Sequence, residues 1–379
     1  MHSEELVYEI ALTMVKGVGD ITAKNLLTFC GSAKNIFTEK KKHFLKIPGI
    51  AEKTAEALYS NLHQKEVIAR AEQEILWLKK ENVEPVFFTS PEYPDRLRYC
   101  PDSPILLYKK GNANLNESKV LSVVGTRIPS KEGEEQVRKL ISQLAGTGIS
   151  VVSGLAYGID ILVHRACLEF EIPTLAVLAH GLHTIYPSLH SSTAIKMQQN
   201  GALLTEFCSY EKPDRENFPK RNRIVAGMCD ALVVIETRRK GGSLITAEIA
   251  NSYNKDIFAF PGRAGDELAE GCNYLIKSHK AALIESSEDL LEGMAWSKDL
   301  KPEEKSQKNK GQSQLLLLEN FEENERNILI RLQHKSPLHV DEISFLCELS
   351  ISKVVTALLQ LEFCNIVKSL PGKMYALNN

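Results

Sequence analysis

The sequence predicts an α/β fold, in which a parallel sheet covered by helices on both faces lies between a helical N-terminal domain and a small C-terminal module. Three observations support it. Residues 120–294 alternate short apolar runs with amphipathic helical patterns. Residues 4–78 carry apolar side chains at three- and four-residue spacing. Residues 322–377 have the pattern of three helices followed by a hairpin. The chain of 379 residues is long enough for two or three such domains.

The helical region, residues 1–84, contains two similar breaks. Val15, Gly17 and Gly19 belong to the first, and residues 47–50 form the second, each followed by a helical pattern. This arrangement is typical of paired helix-hairpin-helix units, whose glycine-containing hairpins can offer backbone N–H groups to DNA phosphates without reading sequence. The alternative is a helical packing domain that uses glycine only to turn.

The predicted sheet domain covers residues 85–296 and begins with a connector. Its five prolines between positions 85 and 104 argue against a helix, and the apolar run 105–108 predicts an extra edge strand. Buried strands are predicted at 120–124, 149–152, 174–178, 202–205, 231–235, 257–259 and 281–284, with helices at 132–145 and 158–169. Ligands of such sheets bind beyond the carboxyl ends of the strands. We therefore expect the turns 125–127, 153–157, 179–182 and 236–243 to line one crevice.

The C-terminal part begins with a charged, nearly apolar-free stretch, residues 297–314, which we interpret as a flexible linker. Helices are then predicted at 322–334, 340–347 and 352–362, with a hairpin that turns at Pro371 and Gly372. This order is typical of a winged helix, residues 315–379. The third helix, 352–362, is the predicted recognition helix, and it carries Lys353 as its single cation. A contact with protein is therefore favoured over DNA readout.

Two strand ends have the composition of anion sites. Gly125, Thr126 and Arg127 follow the first core strand, and Ser153 and Gly154 end the second. Glycine lets the backbone approach a ligand closely, helix N-termini attract anions, and arginine can bind a phosphate through two hydrogen bonds. The chain lacks both a G-x-G-x-x-G fingerprint and a phosphate-binding P-loop. An ordinary turn with a solvated arginine is the alternative.

A second anion site is predicted where Gly242, Ser243 and Thr246 open a helix directly after a strand. Three consecutive cations precede it: Arg238, Arg239 and Lys240.

The stretch 218–224 combines an aromatic ring with three cations at the start of a helix. Its predicted binding residues are Phe218, Lys220, Arg221, Asn222 and Arg223. Single-strand binders use cations along the backbone and aromatic rings on which bases stack. The alternative is a solvated basic helix start with Phe218 in the core.

Several classes of site are not predicted. The eight cysteines include no C-x-x-C pair, which argues against structural zinc and a disulfide scaffold. His164, His180, His183 and His190 lack carboxylates or cysteines at ligand spacing, so we expect no metal. Without a G-x-S-x-G elbow or a marked cysteine nucleophile, no catalytic residue and no cofactor is predicted. The N-terminus lacks a long apolar core and no run of eighteen apolar residues occurs, so we expect a cytoplasmic protein without membrane contact.

Eight blocks, in order and spacing, resemble the DprA/Smf family of DNA-processing proteins. They are Gly125-Thr-Arg127, Ser153-Gly-Leu-Ala-Tyr-Gly-Ile-Asp160, His164-Arg-Ala166, Tyr186-Pro187, Phe218-Pro-Lys-Arg-Asn-Arg223, Gly242-Ser-Leu-Ile-Thr246, Phe260-Pro-Gly262 and Gly271-Cys-Asn273. The resemblance covers about residues 85–294, and the flanking regions are similar to the family's usual accessory domains. Three positions depart from the usual family sequence: Thr126, Gly241 and the Ala179-His180-Gly181 turn.

The resemblance implies an extended Rossmann-like core that binds single-stranded DNA cooperatively, protects incoming strands during natural transformation and delivers them to the RecA recombinase, as a homodimer without enzymatic activity. It places DNA contacts on Arg127, Lys220, Arg221 and Arg223, and a phosphate pocket around Gly154, Gly242 and Ser243. The rival interpretation is a nucleotide-hydrolysing enzyme of the lysine-decarboxylase-like type, in which the stretch from Lys240 to Glu248 would supply a catalytic glutamate.

Overall fold

The computed structural model describes residues 4–47, 50, 52–62, 65–296, 323–334, 336–363, 366–370 and 373–377. The chain divides into two compact units, Met1–Leu300 and Lys301–Asn379. The predicted linker 297–314 lies outside the described residues.

The first unit begins with six helices: α1 Glu4–Met14, α2 Asp20–Cys30, α3 Ala33–Thr38, α4 Lys41–Phe44, α5 Glu52–Leu62 and α6 Lys65–Lys80. Local sequence sets several of their ends. Gly31 adopts a left-handed φ of 82° after α2, and the Ser32 side chain caps α3 through the N–H of Asn35. The first predicted hairpin connects α1 to α2. Asn61 holds it by donating to the carbonyl of Lys16 over 2.8 Å. In the second predicted hairpin, residues 48 and 49 lie outside the described part.

A nine-stranded sheet forms the centre of this unit, in the order β1-β2-β6-β5-β4-β3-β7-β8-β9. The strands are β1 Glu84–Phe87, β2 Leu106–Gly111, β3 Lys119–Gly125, β4 Ile149–Ser153, β5 Thr174–Val177, β6 Gly201–Thr205, β7 Ala231–Ile235, β8 Asp256–Ala259 and β9 Ala282–Leu283. Strands form at all seven predicted positions, and all seven run parallel. The last of them, β9, was predicted to be buried, but it is a two-residue edge strand with both residues exposed.

The connector differs from its prediction in two details. The expected edge strand is β2, which pairs antiparallel with β6, but β1 adds a further strand outside it. A one-turn helix, α7 Asp95–Arg98, also forms despite the prolines. Pro94 lies at its N-cap, where a missing N–H group costs no helical hydrogen bond.

Helices cover both faces of the sheet. They are α8 Lys131–Gln143, α9 Ile159–Glu169, a 3-10 turn Ser188–His190, α10 Ser191–Met197, α11 Asn217–Gly227, α12 Gly242–Ser252, α13 Glu270–Lys277 and α14 Ser287–Gly293. Side chains of β3 alternate between two cores, as strand geometry requires. Leu121 and Val123 pack against residues of α8 and α9, whereas Val120 and Val124 belong to the core formed with α11 and α12.

The N-terminal helices share a hydrophobic core with one end of the sheet. This core contains Ile10, Leu26 and Ile75 from the helices together with Tyr108 of β2 and Leu203 of β6. The predicted domain boundary after residue 84 stays a prediction.

The second unit contains α15 Glu323–His334, β10 Leu338–His339, α16 Val340–Cys347, α17 Ile351–Phe363, β11 Val367–Leu370 and β12 Met374–Leu377. Its three helices and hairpin are confirmed, and β10 joins the hairpin in the order β10-β12-β11. Residues 371 and 372, the predicted turn, lie outside the described part. Ile351, Val355 and Leu359 are exposed at four-residue spacing along α17. A protein-contact role for this helix stays a prediction.

Candidate nucleic-acid interface

The candidate site lies where the strand order reverses. The chain proceeds from β3 through β4 and β5 to β6 on one side, and returns with β7 on the other side of β3. Gly125 at the end of β3 pairs with Ile235 at the end of β7. The following helices, α8 and α12, leave toward opposite faces of the sheet, which opens a crevice between the two turns.

A pocket of about 940 Å³ occupies this crevice. Residues of all four predicted turns line it, and so does the start of α11. Among the predicted site residues, ten lie in its wall: Gly125, Thr126, Arg127, Gly154, Phe218, Arg221, Asn222, Gly242, Ser243 and Thr246. The other three, Ser153, Lys220 and Arg223, are not part of the lining.

Four exposed cations of the lining, Arg127, Arg215, Arg238 and Lys240, form what we call the basic set. Arg127 extends from the turn after β3, and its guanidinium carbon lies 5.4 Å from the centre of the Phe218 ring. Arg238 also approaches Glu267, with 3.5 Å between Nη2 and Oε2. Arg215 was missed by the sequence analysis. It lies three residues before Phe218, outside the quoted basic stretch.

Three aromatic side chains of the lining, Tyr157, Tyr186 and Phe218, form the aromatic set. Tyr157 and Tyr186 are 46% and 49% exposed, and the rings of Tyr186 and Phe218 lie 6.3 Å apart. The two tyrosines were not predicted as binding residues. For Tyr157, its position in the predicted turn 153–157 after β4 was the available signal, whereas Tyr186 lies nine residues beyond the end of β5 and outside the predicted turns.

Arg221 lies in the pocket wall as a buried residue. It is 4% exposed, and its Nη1 donates to the carbonyl oxygens of Gly154 and Val177 over 2.5 and 2.6 Å. Burial lowers the pKa of this guanidinium, while nearby Asp160 raises it. Burial also raises the pKa of Asp160, and Arg221 opposes that change. A side chain on Gly154 would collide with the Arg221 guanidinium, so glycine leaves the space that this guanidinium occupies.

Arg223 points away from the pocket. It donates to the carbonyl of Asp102, to Glu206, and to Asp20 over 3.2 Å. Burial raises the pKa of Glu206 to about 7, against the effect of Arg223. This cluster links α2 of the helical region to the sheet.

Lys220, Arg221 and Arg223 were predicted together as binding residues, but the structure places their side chains in three different surroundings. All three belong to α11, and successive residues of a helix point about 100° apart. Lys220 is therefore exposed, while the guanidinium groups of Arg221 and Arg223 are occupied by protein oxygen atoms. Contact of these three residues with DNA stays a prediction.

The second predicted anion site is the N-terminus of α12. Gly241 is its N-cap, and a side chain on Gly242 would meet no atom within 4 Å, so the first turn is open to a ligand. Ser243 donates to the Thr237 hydroxyl over 2.6 Å, and both Ser243 and Thr246 are buried. The backbone N–H groups at the start of a helix and the helix dipole attract anions, so this turn is suitable for a phosphate. Ser153, in contrast, donates to the carbonyl of Val123 inside the sheet over 2.7 Å.

Of the four histidines, His164, His180 and His190 are buried and contact protein oxygen atoms, whereas His183 is exposed. Buried His164 contacts the Thr174 hydroxyl through Nδ1 over 2.8 Å, and burial lowers its pKa to about 3. Within the described ranges, no three His, Cys, Asp or Glu side chains are grouped so that they could hold a metal ion. Likewise, none of the helices described is long and apolar enough to cross a membrane. Glu248, the glutamate of the rival enzyme interpretation, lies outside the pocket lining and pairs with Lys280 at 2.6 Å.

Comparison with known proteins assigns the family. Residues 84–295 match the family model described as DNA recombination-mediator protein A. The chain belongs to this family. Its flanking regions match a SAM-like helix-hairpin-helix tandem over residues 9–64 and a DprA winged helix domain over residues 312–373. The predicted resemblance and the predicted fold class are therefore confirmed.

Relatives of this DprA family chain include Protein Smf of Synechocystis, 31% identical over 99% of both chains, and Protein Smf of Escherichia coli, 33% identical over 79% of both chains. DprA from Streptococcus pneumoniae superposes with a TM-score of 0.65 and 30% identity, covering 76% of this chain and 97% of that one. DprA from Helicobacter pylori, whose structure was described for its single-stranded DNA binding mode, has a TM-score of 0.52 and 25% identity, covering 57% of this chain and 96% of that one.

Proposed function

We propose that this protein binds single-stranded DNA in the pocket at the end of β3 and β7, as a DNA-processing protein of natural transformation. The observation that carries the proposal is the pairing of cations with aromatic rings in one pocket, with Arg127 beside Phe218 as its centre. Cations neutralise the phosphates, and rings accept the faces of unstacked bases. The single-stranded DNA binding of the Helicobacter pylori relative supports the assignment.

Single strands fit this pocket better than duplexes. The aromatic set lies inside the crevice and can stack only on bases that are free of their complementary strand. Phosphates placed at the N-terminus of α12 and near Arg127 would leave the bases close to Phe218 and Tyr186.

The protein further acts, in our proposal, by delivering the bound strand to the RecA recombinase, as a homodimer in the cytoplasm and without catalysis. The family description as a recombination mediator supports delivery. The ion pair of Glu248 with Lys280 outside the pocket argues against the enzyme interpretation, which needs a free carboxylate in the site. Incubation with nucleoside monophosphates should release no free base.

The central experiment is a titration of the protein with labelled single- and double-stranded oligonucleotides of the same sequence at several salt concentrations. We expect tighter binding to the single strand. We also expect the logarithm of the binding constant to fall linearly with the logarithm of the salt concentration. Equal affinities, or an affinity independent of salt, would reject the proposed site. Delivery is tested separately, by the rate at which RecA assembles on DNA coated with a single-strand-binding protein.

A further inference from the structure

Glu236 occupies an unusual position at the edge of the pocket. It is the first residue after β7, and its φ of 47° lies in the left-handed region. Residues with a side chain adopt this conformation rarely, and where they do, the surrounding contacts must hold them there. Glu236 itself is absent from the pocket lining. In this conformation Glu236 makes hydrogen bonds to the turn after β3.

Glu236 binds both ends of the turn that carries Arg127. Its carbonyl oxygen accepts the N–H of Thr126 over 2.7 Å. Its carboxylate accepts the N–H of Ser130 through Oε2 over 2.8 Å, and the Ser130 hydroxyl donates to Oε1. Arg127 lies between these two attachment points. The left-handed backbone of Glu236 directs its carbonyl and its carboxylate to the same short segment.

The contact continues into the helix behind the turn. The Ser130 hydroxyl accepts the N–H of Gly133 over 3.1 Å and so caps α8. A side chain on Gly133 would collide with the Glu236 carboxylate, which shows how closely the carboxylate packs against the first turn of α8. Glu236 therefore fixes the turn relative to the end of β7 and to the start of α8.

We propose that Glu236 is a positioning residue for DNA binding, which holds the Arg127 turn in the conformation that presents its guanidinium to a phosphate. This inference rests on the proposed function. It assigns to a carboxylate a supporting role in binding a polyanion, so the direction in which DNA affinity changes when the carboxylate is removed distinguishes positioning from a pure charge effect. If Glu236 acted only through its charge, its removal would strengthen DNA binding, because one repulsive charge near the phosphates would disappear. Positioning requires the opposite result.

The test uses Glu236→Gln and Glu236→Ala, with Glu248→Gln as the matched control. Glutamine keeps one acceptor oxygen and the shape of the side chain, whereas alanine removes both contacts with Ser130. The control removes the same charge from the exposed ion pair with Lys280, outside the pocket. Single-stranded DNA affinity is measured for each variant at several salt concentrations, with thermal unfolding recorded in parallel.

We expect the affinity to fall from wild type to the glutamine and then to the alanine variant, while the control binds as tightly as wild type or more tightly. The alanine variant should also lose up to about 0.7 of the salt slope, the contribution of one single-strand phosphate contact. A defect confined to stability would leave that slope unchanged. Ser130→Ala removes the hydroxyl contact with Glu236 and the cap of α8 but keeps the N–H contact, so it should give a smaller loss of affinity, which keeps the proposal testable if Glu236→Ala folds poorly.

Combination with Arg127→Ala gives the decisive measurement. If Glu236 acts through Arg127, the Glu236→Gln substitution should cost little further affinity in the Arg127→Ala background. Additive losses, or Glu236 variants that bind like Glu248→Gln, would overturn the positioning role. Failure of wild type to bind single-stranded DNA would instead refute the proposed function, and the inference with it.

Discussion

Arg127 and Arg221 line the same pocket, yet we expect their alanine variants to fail in different ways. Arg221→Ala removes the donor of two buried carbonyl groups, those of Gly154 and Val177. Each carbonyl left without a partner costs about 1–3 kcal/mol, so the free energy of unfolding should fall by about 2–6 kcal/mol. At about 2.1 cal/mol/K per residue, the unfolding midpoint of a unit of this size shifts by about 1.6 °C for each kcal/mol, so it should fall by about 3–10 °C.

Arg127→Ala removes an exposed side chain that contacts the Phe218 ring. An exposed cation–π contact contributes about 0.5–1 kcal/mol, so the midpoint should change by no more than a few degrees. Single-stranded DNA binding should weaken, and its salt slope should flatten by about 0.7.

The two variants are compared by calorimetry and by anisotropy titrations at several salt concentrations. Arg165→Ala is the matched control, since Arg165 is an exposed arginine of α9 outside the pocket lining. A structural role for Arg221 is refuted if Arg221→Ala has the same unfolding midpoint as wild type and flattens the salt slope as much as Arg127→Ala does. In that case Arg221 would contact a phosphate directly, despite its burial.

Three further predictions concern stacking, pH and domain independence. Phe218→Ala should weaken single-strand binding by about 1–3 kcal/mol in titrations while leaving the salt slope unchanged, because no cation is lost. Burial raises the Glu206 pKa from 4.5 to about 7, so the stability that its proton contributes is complete below pH 4.5 and lost as the pH rises to 7. Chemical unfolding should show this loss in wild type but not in Glu206→Gln. The difference in free energy of unfolding between the two proteins should therefore change between pH 4.5 and about 7 and stay constant above that. A chain ending at Trp296 should fold and bind single-stranded DNA, since the first unit has its own cores; an unfolded product in circular dichroism would contradict this.

Strands and turns of the central sheet could be predicted because their signals are local. A parallel strand covered on both faces is a continuous apolar run, as at 231–235, where all five residues are buried. The glycine turns at the strand ends follow the same logic, since Gly125 would collide with the Ile235 carbonyl if it carried a side chain. Ligands of parallel sheets bind beyond the carboxyl ends of the strands, and this rule alone predicted that four separate turns line one pocket.

The state of each cation could not be predicted, because it depends on partners far away in sequence. Arg221 binds the carbonyl of Gly154, 67 positions earlier, and Arg223 binds that of Asp102, 121 positions earlier. Neither the pattern of charges nor the helical periodicity indicates which distant residues accept these hydrogen bonds. The support that Glu236 gives to the Arg127 turn was missed for the same reason, since Ser130 lies 106 positions before it.

The distribution of cations sets a limit on how strongly salt can affect DNA binding by one copy of the chain. With a formal charge of −2, the protein as a whole does not attract a polyanion, so the attraction must come from a local basic patch, and within the pocket this is the basic set. Its four exposed cations, at about 0.7 per neutralised phosphate, predict a salt slope of at most about 3 per protomer. Arg221 adds nothing to this number if its guanidinium remains bound to Gly154 and Val177. The slope is measured with an oligonucleotide short enough to occupy one pocket. A slope well above about 3 would mean that the strand contacts cations outside the pocket, on the same chain or on a second copy, and the pocket alone would then not account for binding.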